Sequence, residues 1–456
     1  MSRTETYKRV DTTYRYFWTL CLALLVAGAF GGGGSRYGFA NLIVQLTAIF
    51  ALSFHRRAFV DFWASAPIHL RALVALSALL PALFLIPLPP QFWTVFPGRE
   101  LVVQSFELAG GLGWAPASVD PGRTLLALTA LITPLAILVM AWNTPRKQLV
   151  TLGWIVVILG LANLTIGTVQ VLSNGEAGLL YPENPMPGVL FGTFANRNSA
   201  GLFLVGCLAF AALLPAPKNV REFAIPARML ICAMLALAIL LTRSRTALVL
   251  AGLPLGVFAI QTLSQLFAHR HSAVDTIGKR KWPVVAVMAL TLSTIAAVII
   301  AAPGRVNDVV DRFQNDRIDA RTYIWEDAAY SADRYWPIGS GLGTFDEVFQ
   351  IDESLENVTL RRAGRAHNDY LEIAIEAGLS GLLLVGAWLV LLAWLSWKAR
   401  SSDDRWIAWS GAVFLLAIAL QSITDYPLRN HTILAVAAFA LIVLVRFGAA
   451  RKVVKP

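Results

Sequence analysis

The chain has 456 residues, of which 57% are hydrophobic and only 14% charged, and its mean hydropathy is +0.62. Soluble domains carry roughly 25% charged residues, so this composition excludes a soluble globular enzyme and implies a polytopic membrane protein. The net charge of +10 resembles a nucleic-acid footprint, but its distribution follows membrane topology and excludes nucleic acid as a partner.

Runs of about 17–25 apolar residues mark membrane spans. Read in order, they give about twelve: 16–32, 39–54, 67–87, 122–142, 149–172, 199–214, 228–243, 246–263, 283–302, 372–397, 407–424 and 431–447. The first run follows Arg3, Lys8, Arg9 and Arg15, and with so many spans behind it reads as an uncleaved first helix. Cys21, Cys207 and Cys232 all fall inside apolar runs, so no disulfide framework is implied. The fold class is therefore all-α and polytopic. Residues 1–302 hold nine spans with short loops, 303–371 form one large outer loop with short helices, and 372–456 hold the last three spans and a tail.

Twelve spans place both termini on one side. All eight lysines then share that face, which the positive-inside rule makes cytoplasmic. The opposite face carries arginine without lysine. Its polar loops are 173–198 and 303–371, and a mixed aromatic segment, 88–121, reads as interfacial or re-entrant. Between 303 and 375 there are fourteen acids against eight arginines, with Trp325, Tyr330, Tyr335 and Trp336, so the large loop reads as folded. A periodic stretch over 306–335 predicts one or two helices across the membrane mouth.

Four stretches on the outer face carry side chains suited to chemistry. Arg361-Arg-Ala-Gly-Arg-Ala-His-Asn-Asp-Tyr370 ends the large loop and opens an apolar helix, with Asn368 or Asp369 as cap and Glu372 in the first turn. His367 thus stands just outside a helix start, where an imidazole can accept a proton from a hydroxyl. Gly192-Thr-Phe-Ala-Asn-Arg-Asn-Ser-Ala200 places Arg197 between Asn196 and Asn198 at the start of a span. That is a costly place for polar groups unless they are used. Arg243 and Arg245 form a tight turn between two spans, as a functional pair or as snorkelling anchors. Arg321 opens Arg321-Thr-Tyr-Ile-Trp325. The glycine-rich turn beyond it, with Gly341 and Gly343, offers backbone amides to an anion or is an ordinary loop. The acids Asp308, Asp311, Asp316, Asp319, Glu326 and Asp327 match no standard metal loop and read as a solvated helix face. Arginine pairs bidentately with phosphate oxygens, so arginines beside a neutral histidine suit a phosphate-bearing lipid substrate.

These residues resemble the bacterial O-antigen ligase and polymerase superfamily of membrane glycosyltransferases. The motifs that carry the resemblance are Phe194-Ala-Asn-Arg-Asn-Ser-Ala200, Ser244-Arg-Thr-Ala247, Arg321-x-x-x-Trp325 with Gly339-Ser-Gly-Leu-Gly-Thr-Phe345, and Ala366-His-Asn-Asp-Tyr-Leu371. They run in family order from 192 to about 385. The first 190 residues carry no such motif.

The resemblance implies an inverting transfer of a glycan from undecaprenyl pyrophosphate to a periplasmic acceptor, with no metal or other cofactor. It implies an inner-membrane protein with a periplasmic site and cytoplasmic termini. Ligases of the superfamily transfer to lipid A-core, relatives transfer to protein, and polymerases transfer to the next lipid-linked repeat. A lipid-linked glycan transporter or a non-catalytic assembly subunit is the reading from another class. By the resemblance, Arg197 and Arg321 are the pyrophosphate clamps and His367 is the base, with Arg245 the rival for the second clamp and Arg243, Asn196 and Asn198 beside them. Asp369 or Glu372 is expected to orient the imidazole.

Overall fold

The computed structural model describes residues 3–173, 181, 186–216, 224–268, 320–358 and 362–449. These residues are mostly helical. In chain order come α1 (Arg3–Phe30), α2 (Gly38–Phe54), α3 (Arg56–Ser65) and α4 (Ile68–Phe84). Next are β1 (Pro87–Leu88), α5 (Pro90–Trp93), α6 (Glu100–Leu108), β2 (Ala115–Pro116), α7 (Pro121–Ala130), α8 (Ile132–Asn143) and α9 (Arg146–Leu172). The middle of the chain gives α10 (Arg197–Leu213), α11 (Ala224–Leu241), α12 (Arg245–Leu250) and α13 (Gly252–Ala268). Beyond the large loop's first part lie α14 (Ala320–Arg334), α15 (Phe345–Asp352), α16 (Asp369–Ala399), α17 (Arg405–Gln421) and α18 (His431–Gly448).

Seven helical stretches among the described residues are long and apolar enough to cross a membrane. An eighth arises if α2 and α3, bent by 81° at their junction, count as one span. Three further apolar helices, α4, α10 and α17, are shorter. Eleven of the expected runs thus coincide with apolar helices, seven of which reach full spanning length as single stretches. The expected span 283–302 and the first part of the large loop lie outside the described residues.

The core sits where α10, α17 and α18 meet, with α8 and α1 against α18. α10 is buried along its whole length from Ser199 to Leu213. A helix apolar all round has no solvent face to offer, and α10 takes the centre of the bundle. Small residues let the backbones approach: a Cβ at Gly411 would stand 2.3 Å from the Ala440 carbonyl oxygen, so only glycine admits α18 there.

At one end of the bundle the large loop folds onto α16. This helix is not continuous: Gly378, with φ +55, breaks it two turns in. The turn after α14 docks into that break. Leu379 N–H donates to the Pro337 carbonyl at 3.0 Å, while Ser340 and Gly341 N–H groups donate to Ile375 and Glu376 carbonyls at 2.9 and 2.8 Å. A Cβ at Gly378 would lie 2.1 Å from the Pro337 oxygen, so the close approach demands glycine as much as the dihedral does.

Candidate active site

The broken start of α16 carries a dense set of ionisable groups. Asn368 is the N-cap, accepting from Leu371 N–H at 3.1 Å. Asp369, Glu372 and Glu376, at i, i+3 and i+7, share one helical face and are all buried. Arg429 meets all three. Its guanidinium lies 2.6 Å from Glu376, 3.2 Å from Glu372 and 3.9 Å from Asp369. Burial works against the Arg429 charge, but the three carboxylates outweigh it and hold the guanidinium protonated well above its usual range.

Each acid has a further task. Glu372 accepts from Arg365 at 3.1 Å and from Ala366 N–H at 3.0 Å, pinning the backbone just before His367. Asp369 accepts from Ser422 Oγ at 3.0 Å and Leu428 N–H at 3.1 Å. Glu376 accepts from Phe345 N–H at 3.2 Å and so ties α15 to α16. From the other side, Trp325 Nε1 donates to the Ala366 carbonyl at 2.8 Å.

His367 is therefore held on both flanks, in a left-handed conformation with φ +52. Strain of this kind, worth about 1–3 kcal/mol, persists only where the surroundings over-determine it. Its Nδ1 lies 3.2 Å from Asp425 Oδ1; the imidazole is one-third exposed and Asp425 only 2%. A carboxylate can only accept, so Nδ1 carries the hydrogen, and in the neutral tautomer of that contact Nε2 holds the lone pair. The acid against the imidazole is Asp425, in the turn between α17 and α18; Glu372 is engaged by Arg429, Arg365 and the Ala366 amide, and Asp369 accepts from Ser422 and Leu428 through Oδ2.

The same turn gathers the other motifs. Asn196 Nδ2 donates to Asp425 Oδ2 at 3.4 Å, and its Oδ1 caps α10 by accepting from Asn198 N–H at 2.8 Å. Arg197 opens α10 directly beside this contact. Gln421 Nε2 reaches the Asn198 carbonyl at 2.9 Å. Thr246 and Thr424 hydroxyls are 3.3 Å apart, bringing the Arg243–Arg245 turn against the same segment. Ser244 caps α12, and Arg243 takes φ +51 with its guanidinium over Gly188. The Tyr426 ring stands edge-on to His367, centroids 5.0 Å apart. Burial, reinforced by Asp425, pushes the Tyr426 phenol up to about 12, against an opposing hydrogen bond from Asn196.

Arg321 lies in the first turn of α14, four residues before Trp325 and so on the same face as the indole that holds Ala366. The glycine-rich turn packs between α16 and α7. The Gly341 amide is spent on Glu376, and Gly343 lies against the Arg123 carbonyl. Asp308, Asp311, Asp316 and Asp319 lie outside the described residues. Asp327 is engaged by Ser354 and Asn357, and among the described residues no three His, Cys, Asp or Glu side chains gather as a metal would need.

The family model of O-antigen ligase matches residues 230–386. That match spans 157 of the 456 residues. It supports the superfamily resemblance over that stretch, and the apolar helices fit a multi-pass membrane protein. No curated protein matches the chain. The matched stretch contains Arg243, Arg245, Arg321 and His367. Asn196 and Arg197 precede it, Asp425 and Arg429 follow it, and hydrogen bonds of Asn196, Asp425 and Arg429 draw these flanks to the site. Sequence reasoning passed over Asp425, Tyr426 and Arg429. The available signal was Thr424-Asp-Tyr-Pro-Leu-Arg-Asn430, a run with three strongly polar side chains compressed between two apolar helices.

Proposed function

We propose that the protein is an O-antigen ligase-like glycosyltransferase. It moves a glycan from undecaprenyl pyrophosphate to a hydroxyl of a periplasmic acceptor such as lipid A-core, with inversion and without a metal. The observation that carries this reading is the His367–Asp425 pair, 3.2 Å apart, which engages Nδ1 and leaves Nε2 as the other ring nitrogen beside three arginine-bearing motifs.

In the proposed step the acceptor oxygen attacks the anomeric carbon opposite the pyrophosphate. The new C–O bond forms as the bond from the anomeric carbon to the phosphate oxygen breaks, and the hydroxyl proton passes to His367 Nε2. Asp425 stabilises the imidazolium that results. Negative charge grows on the departing pyrophosphate, where Arg197 and Arg321 oppose it; a fixed donor in such a site is worth ~3–4 kcal/mol. Arg245, one turn residue from Thr246 and its contact with Thr424, is the second candidate for that clamp. Asn196 and Asn198 hold the Arg197 helix start in place.

The test is transfer by the purified protein from a lipid-pyrophosphate glycan to an acceptor, with excess EDTA and no nucleotide. Product formation supports the reading. Restoration by manganese or magnesium of a reaction that EDTA abolishes overturns its metal independence. Transfer to the next lipid-linked repeat rather than to lipid A-core makes the enzyme a polymerase. We place the site on the periplasmic face and both termini in the cytoplasm, from the lysine asymmetry. A cysteine at Leu355 labelled from outside and one at Ser2 labelled only from inside are the expected pattern.

A further inference from the structure

Residues 89–114 leave and re-enter the bundle through a narrow neck. β1 and β2 pair across it, Pro87 opposite Pro116 and Leu88 opposite Ala115, directly after α4 and just before α7. Both helices show apolar side chains on the outside, Leu79 and Leu83 on α4 and Leu125 on α7. The segment between them is therefore held at the level where the bundle surface ends.

It is fastened there on its inner side. The buried Arg99 donates to the carbonyls of Ala117 and Gly339, the second at 2.8 Å. Val119 N–H donates to Ser340 O at 2.8 Å, and Thr124 Oγ1 to Leu342 O at 2.9 Å. The segment is thus bolted to the turn that fills the break in α16, at the His367 end of the molecule.

Its outer side is apolar and uncovered. Leu101 and Leu108, one heptad apart, share a face of α6, with Leu108 91% exposed. Trp114, just past the Gly110–Gly111 turn, is 69% exposed. Glu100 and Glu107 flank this face, and Glu100 faces Arg334 of α14 at 3.6 Å, so the acidic edge points toward the large loop and the leucine edge away from it. Between 89 and 114 the only charged side chains are Arg99, Glu100 and Glu107, and the first is buried.

We infer that residues 89–114 are an interfacial membrane anchor, with Leu101, Leu108 and Trp114 set into the boundary between lipid headgroups and acyl chains. Continuity with the exposed apolar sides of α4 and α7, low charge, and an amphipathic helix between the two strands all suit a lipid surface. Through Arg99 the anchor fixes the height of the Gly339–Gly341 turn over the bilayer. This does not depend on which reaction the site performs.

The test is nitroxide labelling of Leu108→Cys, Leu101→Cys and, as a loop reference, Leu355→Cys, in full-length protein in liposomes. The native cysteines are all buried. Collision with oxygen, which concentrates in the bilayer, is compared with collision with a water-soluble nickel chelate. The labels at 108 and 101 are expected to favour oxygen several-fold relative to the label at 355. Nickel accessibility at 108 equal to that at 355 overturns the anchor by placing α6 in water. Shielding from both reagents overturns it by placing protein over the face.

Discussion

His367 and Asp425 stand 58 residues apart in the chain, with Nδ1 and Oδ1 3.2 Å apart in space. Asp369 N–H also donates to the Asp425 carbonyl at 3.3 Å, so the turn between α17 and α18 is held to the start of α16 by backbone and side chain together. The contact divides the imidazole into a fixed edge and a working edge.

Replacing Asp425 with Asn keeps shape and removes the charge that favours hydrogen on Nδ1. Transfer by Asp425→Asn is expected to fall ~10²–10⁴-fold, the usual worth of a positioned acid or base. Donor binding should stay within a few-fold of the parent, since the proton is taken from the acceptor. Equilibrium binding of the lipid-linked donor beside single-turnover transfer separates the two quantities.

Arg429 counters three buried carboxylates at once. Arg429→Met removes the cation and leaves Asp369, Glu372 and Glu376 buried together, which should cost ~3–5 kcal/mol. A lower melting temperature in detergent is the expected readout. Adding Glu376→Gln to the same chain should recover part of the loss, because it removes the acid nearest to Arg429.

Gly378→Ala tests the break in α16. The added Cβ would meet the Pro337 oxygen at 2.1 Å and hold alanine at φ +55, so both melting temperature and transfer should drop. Gly386→Ala, further along the same helix with nothing within 4 Å of the new methyl, should be tolerated. Equal behaviour of the two variants would remove the docked turn from the account.

Eleven of the apolar runs and the cap of α16 were legible in the sequence, because hydropathy and capping chemistry are local. Asn368 caps α16, one of the two residues expected to do so, and the Arg243–Arg245 turn stands where two apolar runs meet. The break at Gly378 was not legible, since one glycine in an apolar run gives no sign that a turn 40 residues upstream will fill it. Asp425 and Arg429 escaped notice for a related reason. A six-residue link between spans reads as a connector, and its charges gain meaning only when α16 is packed against it. Arg321 was legible as a motif, yet its placement on the Trp325 face needs α14.

The division of labour between Arg321 and Arg245 follows from arginine's planar fork. Arg321→Lys keeps the charge and loses bidentate pairing, so transfer should be badly impaired if it clamps the pyrophosphate. Arg245→Lys should be milder if that residue anchors the turn before α12, where a lysine can also reach the interface. Transfer rates at matched protein abundance decide between them, and a tolerant Arg321→Lys beside an inactive Arg245→Lys would move the clamp to the α11–α12 turn.

The central claim is that His367 Nε2 takes the acceptor proton. Single-turnover transfer by His367→Ala, with donor binding measured on the same protein, tests it most directly. The account predicts near-parental donor affinity with transfer slowed ~10²-fold or more. Near-parental turnover by His367→Ala would contradict it and remove the base from the mechanism.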